Sequence, residues 1–177
     1  MFKRWLVLTL LSVVVAASAV ASDDEPKAIG LKAAKFTMED QFQQKWAWKD
    51  HWQGKPTVLV MSDWTGSDYI DNWTLPLTKR FKGRVQFVAM ADLSLTQEAP
   101  SFMQSSLQNT LRERFREAYK NSILMDWKGR VCDYYRVRDG LPNVVYIDAA
   151  GVVQLHTWGT GKDDHVNAFA EALEKRL

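Results

Sequence analysis

The chain has 177 residues, of which 46% are hydrophobic, 12% aromatic and 25% charged, enough for one domain with a sizeable core. This composition excludes a disordered chain, and the single cysteine, Cys132, excludes an internal disulfide, a CxxC redox pair and a cysteine-rich zinc site. The formal charge of +2 includes Lys3 and Arg4 in an N-terminal leader. Without those two, the 23 basic residues fall to 21, equal to the 21 acidic ones, and this neutrality argues against nucleic-acid binding.

Residues 1–21 have the pattern of a secretory signal peptide. Two basic residues precede the uncharged apolar run Leu6–Val20, and Ala19–Ala21 is a small-x-small cleavage site. A retained membrane anchor is the alternative, but the run is short for a bilayer span and ends in small residues. We therefore expect cleavage before Ser22, export to the periplasm and no membrane anchor afterwards.

The mature chain predicts a flexible tail over residues 22–35 and one folded domain over 36–177. In that domain, period-two and continuous apolar runs alternate with helical periodicities. In chain order they predict a hairpin over 36–48, a strand over 57–62, a helix from Ser67 or Asp68 to Phe81, a strand over 84–91, a long helix from Pro100, a strand over 123–125, a short helix within 129–137, a hairpin over 143–157 and a last helix from Asp163.

Two amphipathic stripes predict which helix faces meet the core. Apolar residues recur every four positions in the long helix, and a second set follows one side of the last helix. Alternation of strands and helices implies an α/β fold, with a sheet that is mostly parallel until the final hairpin and has helices on both faces. The two predicted core stripes are Met103, Leu107, Leu111 and Phe115, and Val166, Phe169, Ala170, Leu173 and Leu177.

Several stretches in this order carry a resemblance to a known fold. They are Phe36–Gln41 followed by Gly54–Val60, the segment 129–137, and Leu141–Asp148 followed by Gly151. Together they resemble the thioredoxin-like three-layer sandwich, in the redoxin branch that has an extra N-terminal β-hairpin. The chain is also similar to exported members without the redox pair, of the kind called YtfJ-like. The resemblance implies a cis peptide bond between Leu141 and Pro142.

The redox cysteines of that family are absent here. Alignment of Trp64 with the tryptophan four residues before the first cysteine, and of Pro76 with the helix-kinking proline, places Asp68 and Asp71 at the two cysteine positions. A second register places Thr65 and Asp68 there. Because thiol–disulfide exchange needs a thiolate that attacks sulfur, the activity of the family does not carry over to this site.

The residues favour a binding module over an enzyme. The resemblance implies a peptide-binding groove, for which we predict Trp64, Asp68, Asp71, Trp73 and Pro142 as the binding residues and a protein or peptide as the partner. Two structural explanations compete with this hypothesis. The aspartates can cap the following helix, and the tryptophans can fill the core.

An enzyme that works through one thiol is the alternative function. Cys132 would then react with peroxide or a mixed disulfide, although a small apolar residue that packs a short helix is the competing explanation. A metal carrier that uses Asp68, Asp71 and a histidine is a third hypothesis. The histidines have no HxH or HxxxH spacing, so the sequence predicts no metal and no other cofactor.

Overall fold

A computed structural model describes residues 28–177, so the predicted signal peptide over residues 1–21 lies outside the described residues. Strands β1 (Thr37–Glu39) and β2 (Lys45–Ala47) form the predicted antiparallel hairpin. The remaining elements are α1 (Trp48–His51), β3 (Thr57–Ser62), α2 (Ile70–Phe81), β4 (Gln86–Asp92), α3 (Ser101–Ala118), β5 (Ile123–Asp126), α4 (Arg130–Tyr135), β6 (Asn143–Ile147), β7 (Val153–Trp158) and α5 (Asp163–Glu174).

The other five strands form one mixed sheet in the order β5-β4-β3-β6-β7. The pairs β3–β4 and β4–β5 are parallel, whereas β6 runs antiparallel to both β3 and β7. All six residues of β3 are buried, as its continuous apolar run predicts for a central strand covered on both faces. The predicted α/β class and thioredoxin-like layering are therefore confirmed.

Alternate residues of the central strands supply two separate cores. Val58 and Val60 of β3 pack under α2 and α5, while Leu59 and Met61 pack under α4 and the tryptophans of the α1 region. A third cluster joins β4 and β5 to the C-terminal half of α3 through Phe115. Within residues 28–177, no helix is both long and apolar enough to cross a membrane.

The described part of the predicted tail, residues 28–35, is held against the domain. Ala28 is buried, and the backbone of Leu31 and Ala33 exchanges hydrogen bonds with Val153 and Gly151. The side chain of Tyr135 accepts a further hydrogen bond from the Ala34 amide at 2.8 Å. The folded domain therefore begins before Phe36. The polar, small-residue composition of this segment gave no sign of pairing with strands 120 residues away.

The predicted core stripe of α3 is only half correct. Phe115 is buried and Leu111 is half-buried, but Met103 and Leu107 are exposed and Phe102 is 83% exposed. Periodicity identified the face of the helix that points toward the sheet. It could not show how far along the helix that sheet extends. Leu177 likewise lies on the surface, beyond the end of α5.

Candidate functional site

The candidate site lies at the end of the sheet where β3 ends and β6 begins. A short 3-10 helix over Thr65–Tyr69 connects β3 to α2 there. Asp63 holds this connection to the loop before β6. Its Oδ1 accepts a hydrogen bond from the Gly66 amide and its Oδ2 accepts one from the Gly140 amide, each at 2.8 Å. One carboxylate thus joins two loops that are about 75 residues apart in sequence.

Gly66 makes the close contact between these loops possible. A Cβ atom at this position would lie 2.8 Å from the carbonyl carbon of Leu141 and would also meet Oγ of Ser62. Real Cβ contacts are not that short, so only glycine fits without a shift of the backbone. The loop that carries Trp64 is therefore packed directly on the segment before Pro142.

The bond between Leu141 and Pro142 is trans, because the described residues contain no cis peptide bond. The cis bond that the family resemblance implied is therefore wrong for this chain. The backbone here is also occupied: the Leu141 carbonyl accepts a hydrogen bond from Nδ2 of Asn143, and the Pro142 carbonyl accepts one from the Gly159 amide. Both carbonyls therefore already accept a hydrogen bond from within the chain, and Pro142 is buried.

Trp64, Asp68 and Asp71 lie on the same side of the molecule, around the C-terminal end of α3. The Trp64 ring is 52% exposed and meets the Phe115 ring edge-on, with centroids 6.5 Å apart. The Tyr119 ring lies beside the Phe115 ring at a tilt of 34°, with centroids 5.8 Å apart. Burial raises the pKa of Tyr119, and the negative charges of Asp71 and Asp68 raise it further.

The two aspartates do not cap the helix through a side-chain hydrogen bond. The residue before α2 is Tyr69 and the residue before the 3-10 helix is Trp64, and neither of these makes a side-chain cap. The amide of Gly66, in the first turn of the 3-10 helix, is bonded to Asp63. Asp71 accepts only a long hydrogen bond of 3.5 Å from Thr74. Both carboxylates are exposed and form no ion pair with any other residue in 28–177. The capping explanation is therefore not supported.

Trp73 is a core residue. Its ring is fully buried, packs edge-on against Phe169 and donates a hydrogen bond from Nε1 to the Gly159 carbonyl at 2.8 Å. The predicted binding surface therefore loses Trp73 and buried Pro142 as direct contacts. The exposed set that remains is Trp64, Asp68 and Asp71.

Cys132 is buried on α4, under the sheet. Burial raises the pKa of its thiol well above the ordinary value, and the nearby carboxylates of Asp92 and Asp126 raise it further. A reactive cysteine needs the opposite setting, exposed and close to positive charge. These surroundings disfavour the one-thiol enzyme.

No metal site is formed by the aspartate pair. In residues 28–177, no group of three or more His, Cys, Asp or Glu side chains is placed to hold a metal ion. The structure brings no histidine to Asp68 and Asp71, so the metal-carrier hypothesis has no geometric support.

Two residues of the site were not predicted from the sequence. Asp63 positions the loops, and Tyr69 adds a second exposed aromatic ring beside Asp68. The signal for Asp63 was its place directly after a buried strand and before a helical segment, where an aspartate accepts a hydrogen bond from a backbone amide three residues on. Tyr69 had no distinguishing pattern.

No protein-family model matches the chain, and no curated protein matches it either. Solved structures do match it. A candidate thiol:disulfide interchange protein, DsbE, from Chlorobium tepidum superposes with a TM-score of 0.60 at 19% identity, covering 83% of this chain and 96% of that one. The exposed lipoprotein thioredoxin Etrx1 from Streptococcus pneumoniae gives a TM-score of 0.57 at 19% identity, with 78% and 98% covered.

The thiol peroxidase from Chromobacterium violaceum gives a TM-score of 0.53 at 18% identity, covering 83% of this chain and 86% of that one. At such identities the likeness shows the fold and nothing finer. The protein therefore has a thioredoxin-like fold, with one cysteine and no CxxC pair. The narrower resemblance to the YtfJ-like branch stays a prediction.

Proposed function

We propose that the protein is a non-catalytic thioredoxin-fold module that binds an extended, basic segment of a partner protein. The binding surface is formed by Trp64, Asp68, Tyr69 and Asp71, here called the Trp64 surface. The observation that carries the proposal is the half-exposed Trp64 ring beside two carboxylates that form no ion pair within residues 28–177. In the alignment that the family resemblance implies, these carboxylates stand at the positions of the two redox cysteines.

The chemistry of this surface favours lysine and arginine side chains in the partner. An exposed indole attracts a cation over its face, and each carboxylate accepts charge-assisted hydrogen bonds. Tryptophan also contributes more binding energy than most residues when a partner covers it. Because the Leu141 and Pro142 carbonyls are already bonded, recognition rests on side chains and not on strand addition.

The test is fluorescence anisotropy with two labelled, unstructured peptides. One contains alternating lysine and tyrosine, and the other has glutamate in place of each lysine. We expect the basic peptide to bind and the acidic one not to bind. Trp64→Ala, and the pair Asp68→Asn with Asp71→Asn, should each weaken binding by about tenfold or more.

Matched controls separate this surface from general effects. Phe42→Ala removes another exposed aromatic ring, and Asp50→Asn with Glu171→Gln removes two exposed carboxylates elsewhere. All three control positions should leave the affinity unchanged. Equal binding of the two peptides, or equal losses in the control variants, would contradict the proposal.

We also propose that this role is performed in the periplasm. The proposal is supported by the signal-peptide pattern of residues 1–21. N-terminal sequencing of the protein from a periplasmic fraction should begin at Ser22. Recovery of the uncleaved chain from the cytoplasm would contradict it.

A further inference from the structure

A groove of about 890 Å³ lies on a different part of the surface, between the hairpin and α4. Residues 32–39 form one wall, and residues between Met125 and Tyr134 form the other. Directly after β1, Asp40 forms an isolated antiparallel bridge with Leu124 of β5, next to the groove-lining residues Glu39 and Met125. The volume of the groove falls in the range of small-molecule sites, about 300–1,000 Å³.

The lining of this groove is largely apolar and aromatic. Phe36 and Met38 contribute from the hairpin side, while Trp127, Val131 and Tyr134 contribute from the α4 side. The Tyr134 hydroxyl donates a hydrogen bond to a backbone carbonyl on the opposite wall, at 2.9 Å, which fixes its ring in place. A ligand here would therefore have a sizeable apolar body.

The charges around the groove are positive and unneutralised. Four exposed cationic side chains line it, and none of them forms an ion pair with another residue in the described range 28–177. Four like charges around one apolar groove favour an anion, because an anion relieves their mutual repulsion. The four are Lys32, Lys35, Lys128 and Arg130.

The two carboxylates that also line the groove are already engaged. Glu39 pairs with Arg112 at 3.1 Å. Oδ2 of Asp126 accepts hydrogen bonds from the Val131 and Cys132 amides, at 2.7 and 3.1 Å, at the start of α4. Glu39 is therefore paired with a cation outside the four, and Asp126 leaves one negative charge against four positive ones.

Trp127 lines the α4 side of the groove, and Arg112, which is not a lining residue, packs against it. Nε1 of Trp127 and Nε of Arg112 are buried N–H groups without an acceptor in the described part of the chain. The Arg112 guanidinium lies over the Trp127 ring, 5.1 Å from its centroid. A buried N–H group without an acceptor favours a nearby occupant that supplies oxygen atoms.

We propose that this groove binds a small amphipathic anion, a carboxylate on an unbranched apolar chain, taken up as a monomer. The carboxylate is held among Lys32, Lys35, Lys128 and Arg130, and the chain lies against the apolar lining. This site shares no residue with the Trp64 surface and does not depend on the peptide-binding function.

The experiment is isothermal titration calorimetry of the purified protein with dodecanoate below its micelle concentration. Dodecyltrimethylammonium serves as a probe of opposite charge and equal chain length. We expect one dodecanoate to bind per chain, at least ten times more tightly than the cationic probe. The variant Lys35→Glu with Lys128→Glu should weaken dodecanoate binding by about tenfold, a change of about 1.4 kcal/mol.

The matched control is Lys79→Glu with Lys82→Glu, which makes the same change in net charge on exposed positions at α2, across the sheet. It should leave the affinity for dodecanoate unchanged. Absence of dodecanoate binding, equal binding of both probes, several weak equivalents per chain, or equal losses in the two double variants would each overturn the proposal. Circular dichroism of all variants establishes that they are folded.

Discussion

Cys132 illustrates how the surroundings of one residue decide its chemistry. Its thiol is buried, and burial together with Asp92 and Asp126 raises its pKa. We expect the thiol of the folded protein to react slowly with a chromogenic disulfide near pH 8, and to react fully once the chain is unfolded in guanidinium. A fast reaction of the folded protein, absent in Cys132→Ser, would revive the one-thiol enzyme.

The burial of His156 leads us to predict that the stability of the protein falls at acid pH. Both of its ring nitrogens are buried without a hydrogen-bond partner in the described residues. Burial, and then the positive charge of Arg138, lower the pKa of His156 to about 4. The unfolded chain takes up the proton near its ordinary pKa of about 6.5, so acid favours unfolding.

The contribution of neutral His156 to the free energy of unfolding is therefore at its full value above about pH 6.5. It is lost as the pH falls toward 4. Urea unfolding should show a loss of about 2–3 kcal/mol between pH 7.5 and 4.5 from this residue. His156→Gln should flatten the profile over that range, whereas His165→Gln, at an exposed position, should not. Identical profiles for all three proteins would contradict the assignment.

Among the site residues, the sequence was informative about chemistry and less so about exposure. The absence of thiols around Trp64 and the presence of Asp68 and Asp71 follow from the printed residues alone. That Trp64 is half-exposed while Trp73 is fully buried does not follow. Both residues are tryptophans near α2. Phe169 of α5 and the loop at Gly159 and Gly161 pack against the second and cover it.

At the scale of elements, the contact between the loop after β3 and the loop before β6 organises the site. We predict that Gly66→Ala destabilises the protein by about 1–3 kcal/mol, because the new Cβ meets the backbone of Leu141. It should also weaken peptide binding, since the displaced loop carries Trp64. Thr65→Ala, at the exposed neighbouring position, is the control. Chemical denaturation measures the free energy of unfolding of the two variants. Equal stability of Gly66→Ala and Thr65→Ala would exclude this role for Gly66.

The hairpin is attached to the domain by buried polar residues that no periodic pattern marks. Gln41 is fully buried, with Nε2 donating to the Asn121 carbonyl and Oε1 accepting from the Ile123 amide, both at 2.8 Å. Burial alone would raise the pKa of Asp40, but hydrogen bonds from Ser122, Trp46 and the turn backbone outweigh it and lower the pKa. These contacts join the hairpin to β5 and thereby set one wall of the groove.

At the scale of the whole molecule, the three apolar clusters share the strands of one sheet. Neighbouring residues of β3, such as Leu59 and Val60, belong to cores on opposite faces. Loss of either core therefore exposes the other, and we expect a single cooperative unfolding transition. Far-ultraviolet and near-ultraviolet circular dichroism should give coincident denaturation curves. Separate transitions would show that the hairpin side unfolds independently.

Local pattern determined the order of elements, the central strand and the α/β class, because alternation and continuous apolar runs depend on neighbouring residues. The thioredoxin-like fold was implied by the family resemblance of particular stretches. The sequence also determined that the site has no thiol chemistry of the CxxC kind, since this needs only residue identity. Tertiary structure decided the trans bond before Pro142, the role of Asp63, the exposure of Trp64 and the groove beside Trp127. Each of these depends on contacts between residues far apart in the chain, and such contacts leave no period in the sequence.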